Sequence, residues 1–390
     1  MNPSTRPPHI LFYVQHLLGI GHLARASRIA SALVARGAEV TLVTGGLPVT
    51  GFPPTGLRHV TLPPVQSAGE GFSGLADAEG RPVDAAFLEA RRDRLLELFR
   101  QSRPDVVVTE AFPFGRRQMR FELDPLLEVI EATRPRPVLC CSLRDILQAR
   151  TKPGRDAETV ARILHHYDRV LVHGDPAFAR LEDSFSRAAE IASRVVYTGL
   201  VAPARPEPSA DRFDIVVSAG GGAVGAELAL AAMAAAAILP SQLRHCIICG
   251  PNLQVATRSV LVEQAAAMAA GQVTIETFRS DFAAVLASAR LSISQAGYNT
   301  VCDVLQAGCR SILVPFAAGG ETEQTARACL LQAKGRAVLL PEENLSGERL
   351  AAAIARALSA PRPSPDSLDL DGAAKTANIL YNLTELRNIG

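Results

Sequence analysis

A histidine stands in the turn Leu18-Gly19-Ile20-Gly21-His22-Leu23-Ala24-Arg25, directly after an apolar run and at the start of an Ala/Leu-rich stretch. An imidazole with an ordinary pKa near 6.5 can take a proton at neutral pH, so His22 is a candidate general base. A residue so placed could equally cap the helix or pack against the turn. The glycines permit a tight turn, and the helix start, Gly21 included, offers N–H groups to an anion. The third glycine of a dinucleotide fingerprint is lacking, which disfavours NAD. His16 is a weaker candidate for the same place, and His165 and His166 sit on a helical pattern where a solvated face accounts for them. Two carboxylates follow strand-like runs and are alternative proton acceptors: Glu110 after Asp105 to Thr109, and Asp145 after Val138 to Ser142.

A second set of residues suits a phosphorylated ligand. The turn Ser218-Ala219-Gly220-Gly221-Gly222-Ala223-Val224-Gly225 leads into a helix and has no Lys-Ser/Thr ending, so it is not a Walker loop. Its glycines can still cradle a diphosphate with backbone N–H groups, although a plain tight turn would also explain them. In Ser294-Gln295-Ala296-Gly297-Tyr298-Asn299-Thr300-Val301-Cys302-Asp303 another strand end meets a helix start. The amides there and Thr300 are suited to phosphate, and Asp303 to a ribose diol. Beyond the next strand, Glu323 and Gln324 set an acid beside an amide, which suits several sugar hydroxyls. Arg116, Arg117 and Arg120 form a basic cluster that could hold an acidic acceptor; a solvated face partly paired with Glu122 and Asp124 is the plainer account.

These residues need strand ends and helix starts to position them. Strand-like runs alternate with helical patterns along the whole chain, the mark of parallel sheets with helical crossovers. The first half predicts strands at His9 to Val14, Glu39 to Val43, Asp105 to Thr109, Val138 to Ser142, Arg169 to His173 and Arg194 to Thr198. The second predicts them at Phe213 to Ser218, His245 to Cys249, Val273 to Glu276, Leu291 to Ser294, Ser311 to Val314 and Ala337 to Leu339. The expected fold class is α/β, with two doubly wound Rossmann-like domains facing each other across a cleft and ligands at the carboxyl ends of the strands. The expected boundaries are 1–200 for an acceptor-side domain, 201–212 for a Pro-rich linker, 213–365 for a nucleotide-sugar-binding domain, and 366–390 for a last helix packing back on the first domain.

Composition narrows the classes further. With 40 basic and 39 acidic side chains, the 390-residue chain has a formal charge of +1 and lacks the basic excess of a nucleic-acid binder. Its longest apolar stretch, Ala226 to Leu239, contains Glu227 and falls short of the roughly 20 residues that span a bilayer. No transmembrane helix is expected, which leaves room for peripheral membrane contact. The N-terminus does not read as a signal peptide. Seven cysteines, most inside apolar runs, fit reduced thiols in the cytoplasm. His245-Cys246-Ile247-Ile248-Cys249 could be drawn as a metal corner, but strand alternation would part its thiols and no second Cys/His pair follows. No metal site is expected.

In order, these pieces resemble the GT-B nucleotide-sugar glycosyltransferases, most closely the bacterial family 28 group that includes the N-acetylglucosaminyltransferase of peptidoglycan synthesis. The specific part of the resemblance is Phe213 to Ala333, through SAGGGAVGAE, IETFRSDFAAVLASARLSISQAGYNTVCDVLQAGCRSILVPF and ETEQTARA. It implies a nucleotide-sugar donor, UDP-linked, and no further cofactor. It implies that Gly220, Gly221 and Gly222, with Ser218, approach the diphosphate. Phe278 and Arg279 lie at the base, the latter through its backbone. Gln295, Gly297, Asn299 and Thr300 hold phosphate, Asp303 the ribose, and Glu323 with Gln324 the sugar. The His22 loop falls on the acceptor side, with Arg116 and Arg117. This chain departs from the family pattern in having the shorter Asp303 where Glu is usual, and Ala317 and Ala318 where a histidine often stands. The peptidoglycan enzyme's acceptor motifs are not evident in residues 109–125, so the acceptor stays unidentified.

The expected reaction is an inverting, metal-independent transfer of a hexosyl or N-acetylhexosaminyl group, with His22, Glu110 or Asp145 as base. The turn Gly19-Ile20-Gly21-His22-Leu23-Ala24-Arg25 also resembles that of nucleotide-sugar hydrolases of the pseudaminic acid pathway, which makes hydrolysis the second expectation. A protein that binds a nucleotide sugar without turnover, a 2-epimerase and an NAD oxidoreductase are the remaining classes. The last lacks a convincing acid about 20 residues after either glycine loop.

Overall fold

Each half opens with an apolar strand, a turn and a helix, because a run buried on both faces must be covered by helices on each side. The computed structural model describes residues 6–17, 19–49, 51–54, 56–68, 74–149, 153–220, 225–250, 253–362 and 368–387. Two compact units result, Met1–Val201 with Asp371–Gly390, and Ala202–Leu370.

The first unit is built from β1 (His9–Val14), α1 (Gly21–Ala35), β2 (Glu39–Thr44), β3 (Arg58–Thr61), β4 (Gln66–Ala68), β5 (Gly74–Ala76), α2 (Ala85–Ser102), β6 (Val106–Glu110), α3 (Arg120–Ala132), β7 (Val138–Arg144), α4 (Arg155–His166), β8 (Arg169–His173) and β9 (Val195–Tyr197). Seven strands form one parallel sheet in the order β3-β2-β1-β6-β7-β8-β9, and β4 and β5 make a separate antiparallel pair. Order reverses between β1 and β6, so the loops leaving these two strands diverge and open a crevice at their carboxyl ends. Register puts Glu110 at the end of β6 directly opposite Ser142 of β7, and Arg144 opposite His173 of β8.

The second unit holds β10 (Ile215–Ser218), α5 (Ala226–Ile238), β11 (His245–Ile248), α6 (Val255–Ala266), β12 (Val273–Glu276), α7 (Phe282–Ser288), β13 (Leu291–Ser294), α8 (Tyr298–Ala307), β14 (Arg310–Leu313), α9 (Glu323–Ala333), β15 (Val338–Leu339) and α10 (Gly347–Ser359). Its six parallel strands run β12-β11-β10-β13-β14-β15 and reverse between β10 and β13. The alanines of α5 leave room for α10 to pack close: a Cβ on Gly347 would stand 2.6 Å from that of Ala234. Strand alternation sends Cys246 and Ile248 into one core and Ile247 and Cys249 into another, so the two thiols do not converge.

The final helix α11 (Gly372–Arg387) belongs to the first unit, with Ala377 and Leu380 in the core that covers β1 and α1. Residues 202–212 are held to the second unit, where Ser209 N donates to Ala284 O and Asp211 accepts from Arg279. The short strands β3, β4 and β5 escape a pattern reading because they are half-exposed and carry no apolar run. Among the described residues no helix is long and apolar enough to cross a membrane.

Candidate functional site

In the first unit the chemistry gathers at the β1/β6 reversal. His22 is the second residue of α1 and makes no capping bond; Ile20 occupies the N-cap without a side-chain bond. Its Nδ1 instead lies 2.8 Å from Glu110 Oε1. A carboxylate only accepts, so Nδ1 carries the proton and Nε2 presents a lone pair. The ring keeps 19% exposure, whereas Glu110 is fully buried. Arg25, one turn along α1 and also buried, donates to Glu110 Oε1, and Ser142 Oγ donates to Glu110 Oε2.

Electrostatics fixes the charge states. Burial, with the nearby Arg116 guanidinium, lowers His22 to about 3 despite Glu110. Burial alone would raise Glu110, but Arg25 and the bonds from His22 and Ser142 hold it at about 2. At neutral pH the pair is a neutral imidazole on an ionised carboxylate. Glu110 is therefore spent in holding His22, and cannot itself meet an acceptor.

Other residues expected beside His22 lie elsewhere. Asp145 is fully buried, its Oδ1 accepting from the Ile146 amide. His16 is turned inward onto Leu47 O at 2.8 Å. Arg116 stands close enough to lower His22, with its Nε on Gln15 O at 2.7 Å, its backbone at φ 59° and its pKa lowered to about 10 by burial. Arg117 turns away: with Arg120 it pairs with Glu158, while Asp124 pairs with Arg162, and Glu122 with the buried Arg91 and Tyr13. The basic cluster is thus split, and of its three arginines Arg116 is the one that acts on His22.

The second unit repeats the arrangement at its β10/β13 reversal. Ser218 ends β10 and Gly220 follows in the left-handed region at φ 80°, where a Cβ would come 2.9 Å from Gln295 Oε1 in the loop after β13. Gly220 is thus set against the segment that leads into α8. Gly221 and Gly222 lie outside the described residues. Gly297 is the N-cap of α8, whose first turn holds Asn299 and Thr300, and Asp303 sits half-buried further along. A helix N-terminus with its dipole is the kind of place that suits an anion.

Gln324 ties the strand-end loops together, its Oε1 accepting from Ala296 N at 3.0 Å and Phe316 N at 3.2 Å. With the oxygen so used, what the side chain can still offer a partner is its N–H donors. Glu323 differs from expectation: it is buried and bonded at 2.6 Å to Arg327, whose other nitrogen reaches Ala296 O at 2.8 Å. Its carboxylate is an internal counter-charge, because a buried guanidinium needs one. Arg279 is also committed, its side chain pairing with Glu276, Asp211 and Asp281, while Phe278 is 60% exposed. The chain's Asp-x-Asp triplet, Asp369-Leu370-Asp371, leads into α11, where Asp371 bridges Val201 in the first unit.

Arg25, Ser142, His173 and Arg327 were missed by the sequence reading. Arg25 could have been found from its i,i+3 spacing to His22, whereas Ser142 gives no signal until the strands are paired.

Two Rossmann-like units, each with a polar crevice at its strand-order reversal, define the GT-B glycosyltransferase fold. The calicheamicin glycosyltransferase CalG4 matches it with a TM-score of 0.60 at 17% identity over 98% of this chain and 95% of that one. MurG of Acinetobacter baumannii matches with a TM-score of 0.58 at 17% identity, over 98% and 100%. Glycosyltransferase VinC in complex with dTDP matches with 0.57 at 15% identity, over 98% of both chains. Within this fold, residues 216–376 match the glycosyltransferase family 28 C-terminal domain. Sequence relatives include the UDP-N-acetylglucosamine–N-acetylmuramyl-(pentapeptide) pyrophosphoryl-undecaprenol N-acetylglucosamine transferases of Rhizobium meliloti, 38% identical over 94 residues, and Psychrobacter cryohalolentis, 32% identical over 138. These matches cover 24% and 35% of this chain, and 24% and 37% of those proteins' lengths. None of these relatives is a hydrolase by name.

Proposed function

We propose that the protein is an inverting, metal-independent glycosyltransferase that moves a hexosyl or N-acetylhexosaminyl group from a UDP-linked donor to an acceptor hydroxyl or amine. The observation that carries this reading is the His22–Glu110 pair, a neutral imidazole with its Nδ1 proton held at 2.8 Å and its Nε2 bare. In the proposed step Nε2 takes the acceptor proton, the acceptor atom bonds the anomeric carbon, and the bond from that carbon to the diphosphate oxygen breaks. Charge on the departing oxygen is met by the amides of the Gly220 loop and the first turn of α8, fixed dipoles that need no reorganisation. Inversion follows from a single displacement; Glu110 and Glu323, paired with Arg25 and Arg327, are poor candidates for a covalent intermediate.

On the donor, Phe278 would cover the base, Asp303 bind the ribose and Gln324 the sugar, with Glu323 and Arg327 holding Gln324's loop. UDP is favoured by the donor named for the sequence relatives. Arg116 favours an acceptor with a phosphate or carboxylate near its nucleophile. No disulfide joins any of the seven cysteines, which suits the cytoplasm as the compartment.

The test is to incubate the protein with UDP-, dTDP- and GDP-sugars and candidate acceptors, following thermal shift and nucleotide release with and without EDTA. Stabilisation by UDP-sugars and acceptor-dependent release in EDTA is expected. Release that needs added Mn²⁺ would overturn the metal-independent step, and no stabilisation by any donor would overturn the donor site.

A further inference from the structure

We propose that Ser142 and His173 are positioning residues that act through Glu110 to hold His22 in the tautomer with a bare Nε2. This rests on the reading of His22 as the base. Ser142 has one hydroxyl proton, and its neighbours are Glu110 Oε2 on one side and His173 Nε2 at 2.8 Å on the other. Glu110 is ionised and can only accept, so the proton of Ser142 goes there. His173 must then donate from Nε2 to the serine oxygen, which leaves its Nδ1 as an acceptor. Thr198 Oγ1 lies 2.8 Å from that Nδ1, nearer than the Gly199 and Val172 carbonyls at 3.2 and 3.4 Å that compete for its one proton, and in the proposed chain it donates to the ring.

All the bonds therefore point one way, from Thr198 through His173 and Ser142 to Glu110, where they meet those from Arg25 and His22. Ser142, His173, Thr198 and Glu110 are each fully buried, so no water can substitute for a missing member. The chain starts where the first unit is left and re-entered: Thr198 lies shortly before the boundary at Val201, and Thr376 of α11 is 3.5 Å from His173 Nδ1. Its effect on chemistry is specific. A carboxylate satisfied on both oxygens is a weaker proton acceptor, so it orients the imidazole without drawing the proton off Nδ1.

The experiment is nitrogen-15 NMR of the histidine rings in the full chain without substrate. Opposite tautomers are expected, with the proton on Nδ1 of His22 and on Nε2 of His173. In Ser142→Ala Glu110 loses a donor, and in His173→Phe the remaining donor, Ser142, loses the bond that holds and polarises it; both changes leave more negative character on Glu110, so His22 should begin to protonate at a pH at least about half a unit higher than in the wild type. His173→Gln keeps a donor at the Nε2 position and should restore wild-type titration. Once a donor and acceptor are known, the first two variants should lower kcat about 10-fold with donor KM unchanged. A proton on Nδ1 of His173, or His22 titrating as in wild type in both deletion variants, would overturn the proposal. If a variant fails to fold, the tautomers of the unmodified protein still decide it. Failure of the transferase reading would show as absent turnover and would leave the ring signals untouched.

Discussion

Glu110 Oε1 receives His22 Nδ1 at 2.8 Å across the strand-order reversal of the first sheet, linking the end of β6 to the first turn of α1. The carboxylate is buried and the ring keeps an exposed edge, so in the proposed reaction proton transfer falls to His22 and its orientation to Glu110. His22→Ala should therefore lower kcat roughly 10²- to 10⁴-fold with donor affinity nearly unchanged. Asp145→Asn should leave kcat within a few-fold, because that side chain is buried on Ile146 N. Steady-state kinetics of the two variants decides; near-wild-type kcat in His22→Ala removes the base assignment.

Acid stability should carry the signature of the buried histidines. Burial lowers both His22 and His173 to about 3, below the ordinary value near 6.5. Between those values the unfolded chain binds more protons, so the stability these rings contribute is full above about pH 6.5 and is lost as pH falls toward 3. Each adds a slope of up to about 1.4 kcal/mol per pH unit. Glu110, held near 2, adds its own loss only below about 4.5. Urea unfolding at several pH values between 4.5 and 7 should show a shallower slope for His173→Gln than for wild type. Equal slopes would mean His173 is not buried as a neutral ring.

The parallel strands were legible because burial on both faces writes them as apolar runs, and the glycine turns marked where each crevice opens. Side-chain commitments were not legible. Nothing local to Glu323 announces that Arg327 takes its carboxylate, since an i,i+4 acid–base pair reads equally as a solvated helix face. Arg279 is held by Asp211, 68 residues earlier, and Arg117 by Glu158, 41 later, pairings that only the folded chain defines. Ser142 looked apolar by context, and its meaning appears only when sheet register sets it against Glu110.

The difference between Glu323 and Gln324 is testable. Removing the carboxylate leaves the buried Arg327 guanidinium uncompensated, which costs about 3–5 kcal/mol of stability. Glu323→Ala should therefore show a large fall in Tm, while Glu323→Gln, once folded, should bind donor within a few-fold of wild type. Gln324→Ala should weaken donor recognition by about 1–3 kcal/mol. Thermal denaturation with calorimetric titration of UDP-sugars separates these effects. A pronounced affinity loss in folded Glu323→Gln with none in Gln324→Ala would reverse the assignment.

The glycine loop offers the sharpest check on the donor site. Gly220 has φ 80°, and a Cβ there would approach Gln295 Oε1 to 2.9 Å. Alanine in the left-handed region costs roughly 1–2 kcal/mol, and the contact displaces the Gln295 side chain, one of the proposed phosphate-binding residues. Gly308 is the control: it closes α8 at φ 63° with nothing within 4 Å of its Cβ position. Gly308→Ala should lose comparable stability and keep donor affinity, because its cost is confined to the backbone. Gly220→Ala should lose donor affinity about 5- to 30-fold, the equivalent of about 1–2 kcal/mol. Calorimetric titration of both variants with the preferred nucleotide sugar is the measurement, and equal affinity in the two would detach the Gly220 loop from diphosphate binding.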